Sequence, residues 1–177
     1  RRILDGLALP SYVKTSGATG LHILLPLGAR YTYEQARTFA RLLAVLGVEA
    51  EPEISTVARP LRDRGGKVYI DFGQNGHGQT IVAPFSLRPL PGAPASCPLE
   101  WREVTPRLDP ARFNLKTIVA RFEKTADPLR PVLGEGIDMA AAIERIRPRG
   151  GPAGAVSAGA VPPAGGRRRG RSRPPRA

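Results

Sequence analysis

From Gly150 to its end the chain reads GGPAGAVSAGAVPPAGGRRRGRSRPPRA, without an acidic residue and with almost no side chain able to build a core. Such a segment buries too little apolar surface to offset the entropy of ordering it, so residues 150–177 are expected to form a disordered basic tail. Whatever folds must come from residues 1–149, a length that suffices for one domain with a sizeable core. The tail carries Arg167, Arg168, Arg169, Arg171, Arg173 and Arg176, six of the formal net charge of +12, which leaves +6 on residues 1–149. A basic body with a basic tail points to a polyanionic partner, most commonly nucleic acid. The plainer alternative is a solvated linker attached to an ordinary basic surface.

The single cysteine, Cys97, excludes an internal disulfide framework and fits a reducing cytosol. No apolar run approaches transmembrane length, and the first residues do not show a signal-peptide pattern. The chain opens on Arg1-Arg2 and its only methionine is Met139, which is the pattern expected of a fragment whose start lies upstream.

Local patterns predict an α+β domain. Arg2 to Leu9 reads as the end of a helix stopped by Pro10, followed by strands over Ser11–Thr15 and Leu21–Leu25 around an SGATG turn. Thr32 and Gln35 form a capping box at the head of a helix. Ala36, Phe39, Leu43 and Leu46 mark one face of it, and Gly47 is expected to end it. Lys67–Phe72 and Thr80–Ala83 read as short apolar strands joined by a turn-rich linker. The proline-rich passage Arg88–Pro98 is expected to resist regular structure, and two further helices are predicted around Leu115–Glu123 and Asp138–Arg145. Strands and helices mix without regular βαβ alternation, so a doubly wound sheet is not expected.

Three features carry chemistry. In KTSGATGLHILLPL (Lys14–Leu27), Gly17 and Gly20 permit backbone angles that let amide N–H groups converge on an anion, and Ser16 and His22 could add donors. Alone, such a turn is more often structural. Asp71 sits inside the apolar KVYIDF run, where a buried carboxylate needs a metal or a cationic partner. A solvated sheet face explains it about equally well. Arg64 and Arg88 flank these strands, and guanidinium groups suit phosphate oxygens, though a surface role is the default in so basic a chain. His22 and His77 are the only histidines; no zinc spacing, nucleotide-loop motif or Ser/His/Asp arrangement is present.

The same residues resemble a known family. KTSGATGLHILLPL, GGKVYIDFGQNGHGQTIVAPFSLRPLPGA and SCPLEWREV are similar, in order, to motifs of the polymerase module of bacterial ligase D. That module belongs to the archaeo-eukaryotic primase superfamily and serves non-homologous end joining. The resemblance runs from about Ile3 through Thr117 and extends toward Ile146. It implies a primase-polymerase-like mixed sheet with packed helices. It implies that Ser16 and His22 contact the phosphates of an incoming nucleotide. Asp71 would be a catalytic carboxylate ligating Mn2+ or Mg2+, and Arg64 and Arg88 would hold triphosphate or template phosphate. DNA ends, nucleoside triphosphates, a ligase module and the bacterial Ku end-binding protein are the implied partners, with a cytoplasmic, nucleoid-associated location.

The chain departs from the family pattern in several places. Phe85 stands where tyrosine is common, Thr19 where many members carry lysine or arginine, and Leu90 where a second arginine is usual. Each lost cation would weaken phosphate binding by about 1–3 kcal/mol at a desolvated site. The family's first motif supplies a D-x-D pair upstream of the Ser…His turn, whereas the only acid here before Ser16 is Asp5. One of three expected metal-binding carboxylates is therefore in hand, and the chain alone is expected not to polymerise. A different class of reading, a non-catalytic DNA-binding or end-bridging module, predicts salt-sensitive duplex binding that survives Asp71→Ala. A small-molecule phosphatase or kinase lacks a nucleophile or nucleotide loop here.

Overall fold

Helix α1 (Arg2–Gly6) ends sooner than Pro10 would require, because Ala8 takes φ 52°, a left-handed backbone through which no helix continues. In the computed structural model, residues 1–147 are described, and the tail expected from Gly150 lies outside them. Strands β1 (Tyr12–Thr15) and β2 (Leu21–Leu24) pair antiparallel, with Lys14 opposite His22 and Thr15 opposite Leu21. The Ser16 amide donates to the Gly20 carbonyl at 2.8 Å and closes the turn between them.

The proline-rich passage is not wholly irregular. Its last residue opens a two-residue strand, Pro98–Leu99, that pairs antiparallel with β1 across Lys14 and Val13. The sheet order makes this an edge strand, where proline's missing N–H costs no ladder bond. Lys67–Phe72 shortens to Val68–Tyr69, which pairs in parallel with Ser55–Thr56. In chain order these are β3 (Ser55–Thr56), β4 (Val68–Tyr69) and β5 (Pro98–Leu99). Thr80–Ala83 forms no strand. It runs as irregular chain, and the Val82 carbonyl accepts from the Lys14 side chain rather than from a neighbouring strand.

Helix α2 (Tyr33–Ala50) begins with the expected capping box: the Gln35 amide donates to Thr32 Oγ1 at 3.2 Å and the Thr32 amide to Gln35 Oε1 at 2.8 Å. It does not stop at Gly47. A Cβ there would come 2.9 Å from Ile70 Cδ1, so Gly47 marks the close approach of helix and Ile70 rather than a terminus. Helices α3 (Ile118–Lys124) and α4 (Met139–Ile146) fall within or close to the predicted segments, and Asp138 caps α4 through the Ala141 amide at 3.1 Å.

Two buried clusters follow. Leu4, Leu9, Phe39, Ile137, Met139 and Ala142 pack α1, α2 and α4 together. Val13, Ala95, Cys97, Leu99, Phe113 and Ile118 seat the sheet against α3. The PLEW segment holds that second cluster in place. Trp101 Nε1 donates to the Ser11 carbonyl at 2.7 Å, and Arg121 grips Glu103 with two hydrogen bonds while donating to the Pro98 carbonyl at 2.9 Å.

The first cluster is clasped where residues 134–139 cross residues 26–31. The Ile137 amide donates to the Pro26 carbonyl at 2.9 Å, and the Tyr31 hydroxyl donates to the Ile137 carbonyl and accepts from the Met139 amide. Only glycine fits at the crossing: a Cβ on Gly136 would overlap the Leu27 carbonyl carbon and lie 2.5 Å from the Gly28 nitrogen. Gly136→Ala is therefore expected to destabilise the fold by about 1–3 kcal/mol or more in urea unfolding. Gly6→Ala, where no atom lies within 4 Å, should be neutral or slightly stabilising.

Candidate functional site

The site grows from the β1–β2 register. Lys14 is 1 % exposed, although it is an ammonium at the centre of the sheet. All three of its N–H groups are engaged: with His22 Nδ1 at 2.9 Å, the Val82 carbonyl at 2.9 Å and Ser96 Oγ at 2.6 Å. Sequence reasoning missed this residue, because a lysine in the alternating run YVKT reads as solvated.

The SGATG turn is more self-contained than expected. The Ala18 and Gly20 amides both donate to Ser16 Oγ, at 3.2 and 3.1 Å, so two of the amides that could have met an anion meet the serine instead. Accepting both leaves the Ser16 hydroxyl proton free to point outward as a donor. Gly17 adopts φ 70°, and a Cβ on it would lie 2.7 Å from Arg88 Cγ. The arginine stem thus lies across the turn. Arg88 is held from below, its amide donating to the Pro94 carbonyl at 2.8 Å beside a Leu87–Ala95 bridge. Thr19 is exposed at the turn.

Asp71 is exposed and lies just beyond β4, not inside a buried strand. Exposed to water, its carboxylate does not need the metal or cationic partner that burial in the KVYIDF run would have required. Its Oδ1 accepts from the Gly73 amide at 2.8 Å and the Tyr69 hydroxyl at 3.3 Å, and Oδ2 from Gln74 Nε2 at 3.4 Å. Arg64 joins the group through Tyr69, its guanidinium 4.4 Å from the ring centroid and its Nη2 donating to the Arg59 carbonyl at 2.7 Å. Arg64 Nε is buried with no partner among the described residues. Burial and the Asp71 carboxylate raise the Tyr69 pKa, which keeps that hydroxyl a donor.

The electrostatics bind these pieces together. Burial first, then the charges of Lys14 and Arg88, push the His22 pKa down to about 4, and only Asp71 pulls the other way. Burial, then Arg88, pushes Lys14 down to about 8, so it remains mostly protonated at pH 7. The structure thus gathers Ser16, Gly17, His22 and Arg88 at one end of β1–β2. Asp71 is near enough for its charge to act on His22, and Arg64 lies one residue further out.

Neutral and cationic donors of the antiparallel β2-β1-β5 sheet thus stand with one carboxylate, which follows the separate parallel β3-β4 pair. The family model for the LigD primase-polymerase domain matches residues 1–129, and the chain belongs to that family. It is 36% identical over 129 residues to the bifunctional non-homologous end joining protein LigD of Bacillus subtilis, covering 72% of this chain and 21% of that protein. It is 32% identical over 151 residues to the multifunctional non-homologous end joining protein LigD of Pseudomonas aeruginosa, covering 84% of this chain and 18% of that protein. The polymerase domain from Mycobacterium tuberculosis ligase D, solved in complex with DNA, superposes with a TM-score of 0.70 at 28% identity over 77% of this chain and 47% of that one. The chain thus spans about a fifth of these curated relatives and about half of that solved domain.

LigD polymerase domains are generally dependent on divalent metal. Among the described residues, no three His, Cys, Asp or Glu side chains come together to hold an ion. Asp71 alone does not fit a two-metal centre, which needs several acidic ligands. No described helix is long and apolar enough to cross a membrane.

A histidine held at about 4 makes stability depend on pH. Between pH 6.5 and about 4 the unfolded chain takes up the proton and the folded chain resists it, so stability falls as pH is lowered through that window. Urea unfolding of the wild type and of His22→Gln at several pH values should show a shallower loss in the variant. The His22 ring proton should titrate by NMR near pH 4, and a midpoint near 6.5 would contradict the burial described here.

Proposed function

We propose that this chain is the nucleotide- and DNA-binding portion of a ligase D-type repair polymerase, a module for template-directed nucleotidyl transfer at broken DNA ends in non-homologous end joining. The observation that carries this reading is the convergence of the Ser16 hydroxyl, the free face of His22 and the Arg88 guanidinium at one end of the β1–β2 pair, beside Asp71. In this reading Ser16, Gly17, His22 and Arg88 grip the triphosphate of an incoming nucleotide, with Thr19 at the edge of the turn. Arg64 holds a nearby phosphate and steadies Tyr69. Asp71 Oδ2 would supply one oxygen ligand to a divalent ion, Mn2+ or Mg2+, whose role when bound is to neutralise phosphate charge. The partners are DNA ends and nucleoside triphosphates, with a ligase module and the bacterial Ku protein beside them, in the cytoplasm. The solved relative's complex with DNA supports the nucleic-acid part.

The described residues contribute a single carboxylate to the site, so the chain by itself is proposed to bind substrate without extending a primer, and a gel-based extension assay should show no added nucleotide. Binding carries the sharper test. In EDTA, Arg88→Ala should weaken ATP binding about tenfold, or about 1.4 kcal/mol, for the loss of a charge-assisted contact. Asp71→Asn should strengthen it by removing a repelling charge, and should weaken it once Mn2+ is present. If calorimetry gave the same ATP affinity for all three proteins, the triphosphate grip would be ruled out. Duplex binding unaffected by either substitution, with no nucleotide binding, would favour the non-catalytic end-bridging module instead.

A further inference from the structure

We propose that Lys14 is a positioning residue for His22: it fixes the imidazole as the Nε2–H tautomer, so that His22 presents one neutral N–H donor to a phosphate oxygen. Lys14 itself meets no ligand in this role. The inference rests on the triphosphate reading for its ligand and on the geometry of Lys14 for everything else.

An ammonium has donors and no acceptor, so a contact of 2.9 Å from Lys14 Nζ to His22 Nδ1 is made only if Nδ1 is unprotonated. A neutral imidazole then carries its proton on Nε2. Lys14 cannot rotate away from this duty. Its other two donors are taken by the Val82 carbonyl at 2.9 Å and Ser96 Oγ at 2.6 Å, and it is 1 % exposed. Ser96 is itself locked, donating to the Thr15 carbonyl at 2.8 Å. The β1–β2 register adds the last constraint by setting Lys14 directly opposite His22. Nε2 makes no hydrogen bond among the described residues and is not among their buried, unpartnered polar atoms. Its proton is therefore left for a ligand rather than for a partner within the described residues.

A second cation brought up to the ring would repel a protonated imidazole. With Lys14 in place, His22 joins the Ser16 hydroxyl as a neutral donor beside the Arg88 guanidinium. The buried lysine thus contributes to recognition without touching the ligand.

The test uses the 15N-labelled full chain at pH 7 and long-range 15N–1H correlation of the imidazole ring, which reads the tautomer directly and needs no substitution. The wild type should show Nδ1 unprotonated and Nε2 protonated; the opposite tautomer overturns the proposal. The double variant Lys14→Met, Ser96→Ala removes the ammonium together with the acceptor it would orphan. It should give a mixture of tautomers and bind inorganic tripolyphosphate about five-fold more weakly by calorimetry. His22→Gln keeps an N–H donor that has no tautomer to set. In that background the Lys14 and Ser96 substitutions should change tripolyphosphate affinity no further. An unchanged tautomer in the double variant, or an equal loss of affinity in the His22→Gln background, would reduce Lys14 to a packing role. If the wild type failed to bind tripolyphosphate while the tautomer behaved as stated, the triphosphate reading would fall and the control of His22 by Lys14 would stand.

Discussion

A lysine ammonium with no access to water is tolerable only if every N–H finds an acceptor, and Lys14 finds three. They come from three separate parts of the chain: the facing strand, the irregular segment at Val82, and the approach to the edge strand at Ser96. Moving any of the three would leave a buried charge short of a partner. Adjacent bonds reinforce the arrangement. The Thr15 hydroxyl donates to the Ala95 carbonyl at 2.9 Å and accepts from the Cys97 amide at 2.8 Å. This polar lattice joins β1 to a passage too rich in proline to pair through backbone bonds alone. The apolar cluster of Val13, Leu99, Phe113 and Ile118 completes the packing.

The same lattice divides the site's donors into those that build it and those left for a ligand. Lys14 is fully engaged inside the protein, and the Ala18 and Gly20 amides are engaged by Ser16. What remains facing outward is the Ser16 hydroxyl proton, the free nitrogen of His22 and the Arg88 guanidinium, with Asp71 nearby as the one opposing charge. Several donors of mixed charge over a short span suit the oxygens of an anion, which is the basis of the triphosphate reading proposed above. Thr19, exposed at the turn, brings no charge to its mouth, and Arg88, whose stem crosses Gly17, is the cation there.

Much of this was legible in the sequence where local rules decide the outcome. Thr32 and Gln35 announced α2, Asp138 announced α4, and the Ser11–Leu25 hairpin followed from two apolar runs around a glycine turn. The motif order of the SGATG turn, Asp71, APFSLR and PLEW carried the family. The failures have a common cause. Lys14 is buried by acceptors as far as 82 positions along the chain, which no window of sequence contains. Thr80–Ala83 has strand composition, yet the Val82 carbonyl is claimed by a side chain. Pro98 reads as a strand breaker, yet an edge position has no use for its missing N–H. Gly47 reads as a stop signal, yet Ile70 needs the space. Asp71 looked buried because its neighbours are apolar, but a strand of two residues does not cover it.

A triphosphate held at one end of the β1–β2 pair, as proposed above, would register on the groups that hold it. The most direct measurement is amide and side-chain NMR mapping of the labelled chain during titration with a nucleoside triphosphate. Saturable shifts are expected, concentrated at Ser16–His22, the Arg88 guanidinium and the Tyr69–Gly73 segment. Shifts confined to other surfaces, or absent from Ser16, His22 and Arg88 at saturation, would contradict the triphosphate reading.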